Sequence, residues 1–283
     1  MNYSDILLTV DFDRTLTAPD STVPERNKQA IRDFMALGGT FTVNTGRSLP
    51  MYGDRRFEVS VNAPLLLYNG SAAVDQKTGQ ILRCKLFDFG MEQTVRDMMA
   101  RYPDMVVEVQ GVDAHYIFKP HAMWAQYCRE NGCTYAFAKP EDDLGPFMKF
   151  TFYEEFRKPT VADLYNATPE QLARMDQVEA DLKALFGSRA SVFRAAPRII
   201  DVHAGNVSKA IAARELQREL GKKLLICVGD GENDVPMMED ADFSFCPSDS
   251  VLVDRFPSVC PCAEGSVADV IYEKIPQILA ENP

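Results

Sequence analysis

The stretch ILLTVDFDRTLT, residues 6–17, joins a short, almost wholly apolar run to two closely spaced carboxylates. Such a run is typical of a strand that is buried on both faces of a parallel sheet. Side chains two positions apart in an extended chain point to the same side, so we expect Asp11 and Asp13 to face one crevice if the strand continues past Val10. Taken alone, the two acids would more simply begin a solvated turn or cap the next element. The rest of the chain favours the crevice.

The order of strands and helices around this stretch predicts an α/β fold with a doubly wound parallel sheet. Residues 24–37 are predicted as a helix, because proline stands in the first turn, apolar residues form one stripe and Gly38-Gly39 follows. Two more strands are predicted at residues 40–43 and 64–68, and both end on small or polar residues. Ligands of such sheets bind outside the carboxyl ends of the strands.

The pattern changes after residue 72, which indicates an inserted α+β unit. Residues 72–82 are typical of a hairpin, residues 123–130 of a helix, and a capping box at Thr168 and Gln171 begins another helix. Two more strands are predicted at residues 191–194 and 198–202, before the β-α-β alternation resumes. The predicted domains are a Rossmann-like core of residues 1–87 and 190–283 and an α+β cap of residues 88–189.

The composition limits the possible partners of the chain. The formal net charge is −11, and no contiguous basic patch is present, which argues against nucleic acid or an anionic membrane as partner. No apolar stretch approaches the length of a membrane-spanning helix. We therefore expect a cytoplasmic protein, a monomer or small homo-oligomer, that binds a small molecule.

The seven cysteines are interpreted as reduced thiols of the core and the loops. Only Cys260 and Cys262 are close in sequence, and the second pair that a zinc site would need is missing. His115, His121 and Trp124, within the predicted cap, are interpreted as packing or surface residues. No metal is expected at these positions.

Four groups of polar residues fall where the predicted sheet would bring strand and helix ends together. They are Asp11 and Asp13 after the first strand, Thr45 after the second, Lys209 in the first turn of a helix, and Asp230 with Asp234 after a later strand. Converging carboxylates are electrostatically costly unless a cation lies among them, and hard oxygen ligands suit Mg²⁺. A phosphate would then find Thr45, Lys209 and backbone N–H groups. The combination predicts phosphoryl transfer, in which one carboxylate attacks phosphorus and another acts as acid and base.

These residues resemble the four motifs of the haloacid dehalogenase-like phosphohydrolase superfamily. The first motif, D-x-D-x-T, is similar to residues 11–15; the second contains Thr45, the third is Lys209, and the fourth is similar to GDGEND at residues 229–234. The long insert between the second and third motifs resembles the Cof-like subfamily with a large α+β cap of type IIB. The resemblance extends over essentially the whole chain.

The resemblance implies a role for each site residue. Asp11 would be the nucleophile, Asp13 the general acid and base, and Thr45 and Lys209 the groups that hold the phosphoryl oxygens. The implied Mg²⁺ ligands are Asp11, the Asp13 backbone carbonyl and Asp230, with Asp234 ligating through water or supporting the ligands. The predicted substrate-binding residues are Arg14, Thr45, Gly46, Arg47, Lys209 and Asn233.

The implied activity is hydrolysis of small phosphorylated metabolites, with sugar phosphates favoured, through an aspartyl-phosphate intermediate. Two alternatives stay open: a sugar phosphomutase of the same capped subfamily, and a non-catalytic protein that binds a phosphorylated ligand. Release of inorganic phosphate, formation of an isomer, and binding without turnover distinguish the three.

Two departures from the family pattern concern the loops around the site. Arg14 stands where glycine is common, and residues 247–250, PSDS, replace a turn similar to G-N-A. Arg14 either crowds its loop or places a cation near a second anionic group of the substrate. Arg47 is interpreted equally as a structural ion-pair partner or as a substrate contact.

Overall fold

The chain forms two compact units, which a computed structural model describes for residues 1–119, 128–129, 132–154 and 166–281. The first unit comprises residues 1–46, 54–83 and 208–283, and the second comprises residues 47–53 and 84–207. Of the predicted helix at residues 123–130, only 128 and 129 are described, and His121 and Trp124 lie outside the described residues.

The described residues form the following regular elements. The strands are β1 Ile6–Val10, β2 Thr40–Val43, β3 Leu65–Leu67, β4 Ala72–Val74, β5 Ile81–Cys84, β6 Met105–Gly111, β7 His115–Ile117, β8 Tyr135–Phe137, β9 Phe147–Glu154, β10 Ala190–Ala196, β11 Ile199–Ala204, β12 Leu224–Val228, β13 Phe243–Pro247 and β14 Ser258–Val259. The helices are α1 Glu25–Ala36, α2 Leu49–Tyr52, α3 Met91–Arg101, α4 Pro169–Phe186, α5 Lys209–Glu219, α6 Val235–Asp240, α7 Ser266–Asp269 and α8 Ile275–Glu281.

The core of the first unit is a parallel sheet with the strand order β14-β13-β12-β1-β2. All five residues of β1 are buried, because this strand has a neighbour on each side and is covered on both faces, as its apolar sequence predicts. The predicted α/β class and the first two strands are confirmed. The predicted hairpin is also confirmed as β4 and β5 of a small sheet ordered β3-β4-β5.

The start of α5 packs on a turn that follows β3. Gly70 in this turn has φ +94°, and a Cβ atom added there would lie 2.6 Å from the Cβ of Ala212 and 2.7 Å from the carbonyl oxygen of Ser208. Only glycine gives both the left-handed backbone and this close approach. The turn thereby fixes where the first residue of α5, Lys209, enters the unit.

The second unit contains a six-stranded sheet with the order β10-β11-β9-β6-β7-β8. The pairing is antiparallel except between β7 and β8, which run parallel. Strands β10 and β11 belong to this sheet, so the predicted core boundary at residue 190 precedes two strands that pair in the second unit. The predicted capping box is present: Thr168 accepts a hydrogen bond from the backbone of Gln171 and the glutamine side chain accepts one from the backbone of Thr168.

The three adjoining strands β6, β9 and β11 have one apolar and one polar face. The apolar face packs against α3 and α4 and consists of Val107, Val109, Phe150, Phe152, Ile200 and Val202. The polar face consists of Glu108, Gln110, Lys149, Thr151, Asp201 and His203, all of them buried. The strand register aligns Glu108 with Thr151 and Thr151 with Asp201, and it aligns Gln110 with Lys149 and Lys149 with His203. We refer to these six residues as the polar face.

Replacing Gly70 by alanine tests how the turn positions α5. We expect Gly70→Ala to lower the free energy of unfolding by about 2–4 kcal/mol, because it adds a steric clash to the cost of a left-handed alanine. Gly79→Ala is the matched control: Gly79 has φ +71°, but an added Cβ would approach only the end of the Arg56 side chain, at 3.9 Å. Urea unfolding of both variants measures the difference, and equal losses would contradict a packing role for Gly70.

Candidate active site

Asp11 lies at the carboxyl end of β1, where its backbone N–H donates to the Val228 carbonyl of β12 at 2.9 Å. Strand β1 ends at Val10, although the backbone of Asp11 is still extended, with φ −67° and ψ 157°. Residues 12–16 then turn back in a π-type loop in which Arg14 has φ 58°, so regular strand alternation does not continue to Asp13. The loop brings it close nevertheless, since the charge of Asp13 contributes to raising the pKa of Asp11.

Lys209 is the first residue of α5, and its ammonium group is buried between two carboxylates. Its Nζ lies 2.5 Å from Oδ1 of Asp11 and 2.6 Å from Oδ1 of Asp234. Ser208 caps the helix by accepting from the backbone N–H of Ile211 at 3.1 Å. The amide of Asn44, which follows β2, donates to the carbonyl of Lys209 at 2.9 Å. The hydrogen bonds of Ser208 and Asn44 together fix the start of α5.

Asp234 is held by the loop that follows β12. The backbone N–H groups of Asp230 and Gly231 each donate to Oδ2 of Asp234 at 3.1 Å. This fold of the loop requires glycine at position 229, where an added Cβ would lie 2.5 Å from the Cβ of Asp234. Gly229 and Asp234 of the GDGEND stretch therefore act together to form a compact acidic loop.

Asp230 is fixed by two hydroxyl groups that sequence reasoning did not select. Thr15 donates to Oδ1 of Asp230 at 3.1 Å, and Ser250 donates to its backbone carbonyl at 2.9 Å. The serine belongs to the PSDS turn that departs from the family pattern, so this turn still supports the acidic loop. Arg14 places Nε 3.9 Å from Oδ2 of Asp230. Thr15 was visible in the D-x-D-x-T pattern, whereas nothing in the sequence indicated the partners of Ser250 or Asn44.

Asp11, Asp230 and Asp234 each bring one carboxylate oxygen to within 4.8 Å of the others. Burial and the neighbouring carboxylates raise the pKa of Asp11 well above its usual value, although the charge of Lys209 opposes this rise. Burial and the charge of Asp234 likewise raise the pKa of Asp230 to about 7. Burial alone would lower the pKa of Lys209, but Asp11 and Asp234 more than offset this effect, and the ammonium group stays protonated.

The three carboxylates fit a divalent cation. One lysine cannot neutralise three acids, and burial, together with the charges of neighbouring carboxylates, raises the pKa values of Asp11 and Asp230. The donors are hard oxygen atoms, which is the chemistry that Mg²⁺ prefers. Among the described residues, this group contains Asp11, Asp230 and Asp234 but not the side chain of Asp13.

The remaining predicted site residues follow strands β1, β2 and β12. Thr45 is buried at the end of β2, where its N–H donates to the Leu66 carbonyl at 2.9 Å. An added Cβ at Gly46 would lie 2.9 Å from Oδ1 of Asn69, so this segment is closely packed. Arg47 belongs to the second unit, and Asn233 lies in the loop after β12. The substrate contacts of these residues, and that of Arg14, stay predictions.

Residues 8–250 match the model of the haloacid dehalogenase-like hydrolase family. The chain belongs to this family, as its motifs indicated, and the prediction of a hydrolase is confirmed. A provisionally named phosphatase of Buchnera aphidicola subsp. Schizaphis graminum is 21% identical over 257 residues, which cover 84% of this chain and 85% of the relative.

Solved structures show the same fold. A haloacid dehalogenase-like hydrolase from Bacteroides thetaiotaomicron superimposes with a TM-score of 0.74 at 17% identity and covers 95% of this chain and 98% of its own. A sugar phosphatase of subclass IIB of the superfamily gives a TM-score of 0.74 at 14% identity, with 97% and 98% covered. The predicted combination of a parallel core sheet and an inserted α+β unit is confirmed. None of the helices in the described part of the chain has the length and apolar character to cross a membrane.

The raised pKa of Asp230 predicts a pH-dependent loss of stability that a divalent cation reverses. A carboxyl group whose folded-state pKa is raised to about 7 stabilises the fold at low pH and loses this contribution as pH rises through that value. In EDTA we expect the free energy of unfolding to fall by on the order of 1–3 kcal/mol between about pH 5 and pH 8, and Mg²⁺ to restore it at the higher pH.

Two variants check this prediction by urea unfolding. Asp230→Asn should flatten the pH profile in EDTA and weaken the Mg²⁺ effect. Glu232→Gln, in the same loop but with an exposed side chain, should retain both. Parallel pH profiles for wild type and Asp230→Asn would show that Asp230 does not titrate as expected.

Proposed function

We propose that this chain is a Mg²⁺-dependent phosphatase that hydrolyses small phosphomonoesters through an aspartyl-phosphate on Asp11. The observation that carries the proposal is the buried contact of Lys209 with Asp11 and Asp234 beside Asp230. A cationic donor and an acidic cluster at the carboxyl ends of β1 and β12 suit a phosphoryl group and a metal ion together.

Asp11 carries out the nucleophilic step. One of its carboxylate oxygens attacks phosphorus, a new P–O bond forms, and the bond to the leaving oxygen breaks. Asp13 gives its proton to that oxygen, so the alcohol leaves neutral. In the second step Asp13 takes a proton from water, the water oxygen attacks phosphorus, and the bond to Asp11 breaks to release inorganic phosphate.

Lys209 supplies positive charge for the phosphoryl oxygens. Its ammonium group is buried and protonated, so no reorganisation of water is needed to present the charge. Thr45, at the end of the neighbouring strand β2, is proposed as a second donor. Asp11 is then free to turn towards phosphorus once the phosphate takes over the contact with Lys209.

Mg²⁺ would be held by Asp11, the backbone carbonyl of Asp13 and Asp230, with Asp234 ligating through water or orienting the acidic loop. When bound, the ion neutralises the excess carboxylate charge and shields the phosphate from the acids. Asn233 is proposed to orient the same loop.

The substrate class is proposed from a structural relative. The similar subclass IIB protein is a sugar phosphatase. We propose sugar phosphates as the preferred substrates of this chain, and a cytoplasmic location.

Asp11→Asn tests the mechanism. We expect this variant to lose phosphatase turnover, because an amide is a poor nucleophile and a weaker metal ligand. Asp13→Asn should be slowed by on the order of 10²–10⁴-fold, since it removes protonation of the leaving group. Release of inorganic phosphate from sugar phosphates, nucleotides and phosphorylated cofactors measures both effects.

The same panel separates the alternatives for the wild-type enzyme. A hydrolase releases phosphate, a mutase forms an isomer, and a binding protein gives only a thermal shift. Glu232→Gln serves as the matched acidic control and should keep turnover. Wild-type rates for purified Asp11→Asn would refute the aspartyl-phosphate mechanism.

Arg14→Gly tests the departure from the family pattern. The side chain is about half exposed and occupies a left-handed conformation with φ 58°, so glycine should relieve backbone strain. If Arg14 binds a second anionic group, the variant should raise KM for bisphosphates or carboxylated phosphates and leave simple sugar phosphates unchanged. An equal change for all substrates would instead assign Arg14 to the structure of the loop.

A further inference from the structure

The second unit contains a buried cluster of one imidazole and two thiols. One ligand atom each from His115, Cys128 and Cys133 lies within 4.8 Å of the others. The three residues are 0%, 0% and 4% exposed, respectively. Only Cys260 and Cys262 form a close pair along the chain, so the sequence predicts no metal among the cysteines. The fold brings His115 to two cysteines that lie further along the chain.

Backbone hydrogen bonds hold the three residues in place. The N–H of Cys133 donates to the carbonyl of Cys128 at 2.7 Å, which joins the backbones of the two cysteines. The N–H of His115 donates to the carbonyl of Thr134 at 2.9 Å, next to Cys133, where β7 begins to pair with β8. The thiols and the imidazole are therefore positioned by the main chain and not only by their side-chain packing.

A buried carboxylate lies against the imidazole of this cluster. Nδ1 of His115 lies 2.6 Å from Oε1 of Glu108, and Oε2 of the same carboxylate is buried with no hydrogen-bond partner among the described residues. Nε2 of His115 lies 2.6 Å from the hydroxyl of Ser48. A polar atom that is buried without a partner is costly, which indicates that the Glu108 carboxylate is arranged for another partner.

The donor set identifies the class of that partner. Two sulfur atoms and one imidazole nitrogen favour Zn²⁺ over hard cations, and four-coordinate sites of this kind commonly combine cysteine and histidine. A metal-bound histidine usually has its other nitrogen fixed by a hydrogen bond, the position that Ser48 occupies here. Glu108 offers an oxygen atom for the remaining place.

We propose that His115, Cys128 and Cys133 bind one Zn²⁺ ion through Nδ1 and two thiolates, with Glu108 as the fourth ligand. The site ties Cys128 and Cys133 to β7 and β6, and its role is structural because all four side chains are buried. The proposal is independent of the proposed phosphatase activity, which uses residues of the first unit.

Metal binding at this site must release protons. Without metal, the hydrogen bond to Cys133 and burial raise the pKa of Cys128, so its thiol is neutral. Burial would lower the pKa of His115, but the charge of Glu108 outweighs this effect. The pKa is raised to about 9, so the imidazole is protonated. Thiolates and a neutral imidazole are the forms that bind Zn²⁺, so binding releases the protons that these groups carry.

Cobalt substitution tests the site on the full-length chain. Reduced protein is titrated with Co²⁺ in excess Mg²⁺, which occupies carboxylate sites. We expect one equivalent of Co²⁺ to give intense thiolate-to-cobalt charge-transfer bands together with the visible bands of tetrahedral cobalt, and Zn²⁺ to abolish both. The double variant Cys128→Ser/Cys133→Ser should lose these bands. Cys262→Ser, which removes a buried thiol of the first unit, should keep them.

A second measurement covers the case in which the double variant fails to fold. Zn²⁺ titration of wild type in weak buffer with a pH indicator should release protons as the ion binds. A cobalt spectrum of oxygen ligands alone, charge-transfer bands that persist in the folded double variant, or Zn²⁺ binding without proton release would each refute the site. A Cys128–Cys133 disulfide that withstands reduction in the purified protein would refute it as well.

Discussion

The contact of one buried ammonium group with two buried carboxylates constrains the whole first unit. Asp11, Lys209 and Asp234 lie on β1, α5 and the loop after β12, and a misplaced partner would leave a charge buried without compensation, at a cost of several kcal/mol. Gly70 and Gly229 meet this constraint by the close backbone approaches that they permit. The same three groups remain net negative, so the arrangement that the fold enforces is also one that attracts a cation.

The local sequence predicts the strands and helices of this fold well. It does not predict which distant residues come into contact. The apolar run of β1 and the Thr168 capping box could be predicted because their causes lie within a few residues. The turn at Arg14 could not be predicted, because its left-handed backbone depends on hydrogen bonds across the loop. The hydroxyl contacts of Thr15 and Ser250 with Asp230 join residues more than 200 and about 20 positions apart along the chain, respectively.

In the second unit, the local sequence predicts strand pairing even less well. The sequence predicted β10 and β11 as strands, but only their pairing with β9 assigns them to the inserted sheet. The parallel pairing of β7 with β8 also cannot be predicted from the local sequence. This pairing places His115 near Cys128 and Cys133. Motif spacing identified the acidic cluster because family members share its order along the chain. It could not identify a cluster that depends on one particular strand register.

The division of β6, β9 and β11 into two faces gives one sheet two kinds of stabilising contact. Val107, Phe152 and Ile200 hold the helices by apolar packing. On the opposite face, the buried ion pair of Lys149 and Asp201 joins β9 to β11. The two faces therefore tolerate substitution differently: an apolar side chain can be exchanged for another of similar volume, whereas loss of either member of the ion pair leaves the other charge buried without compensation.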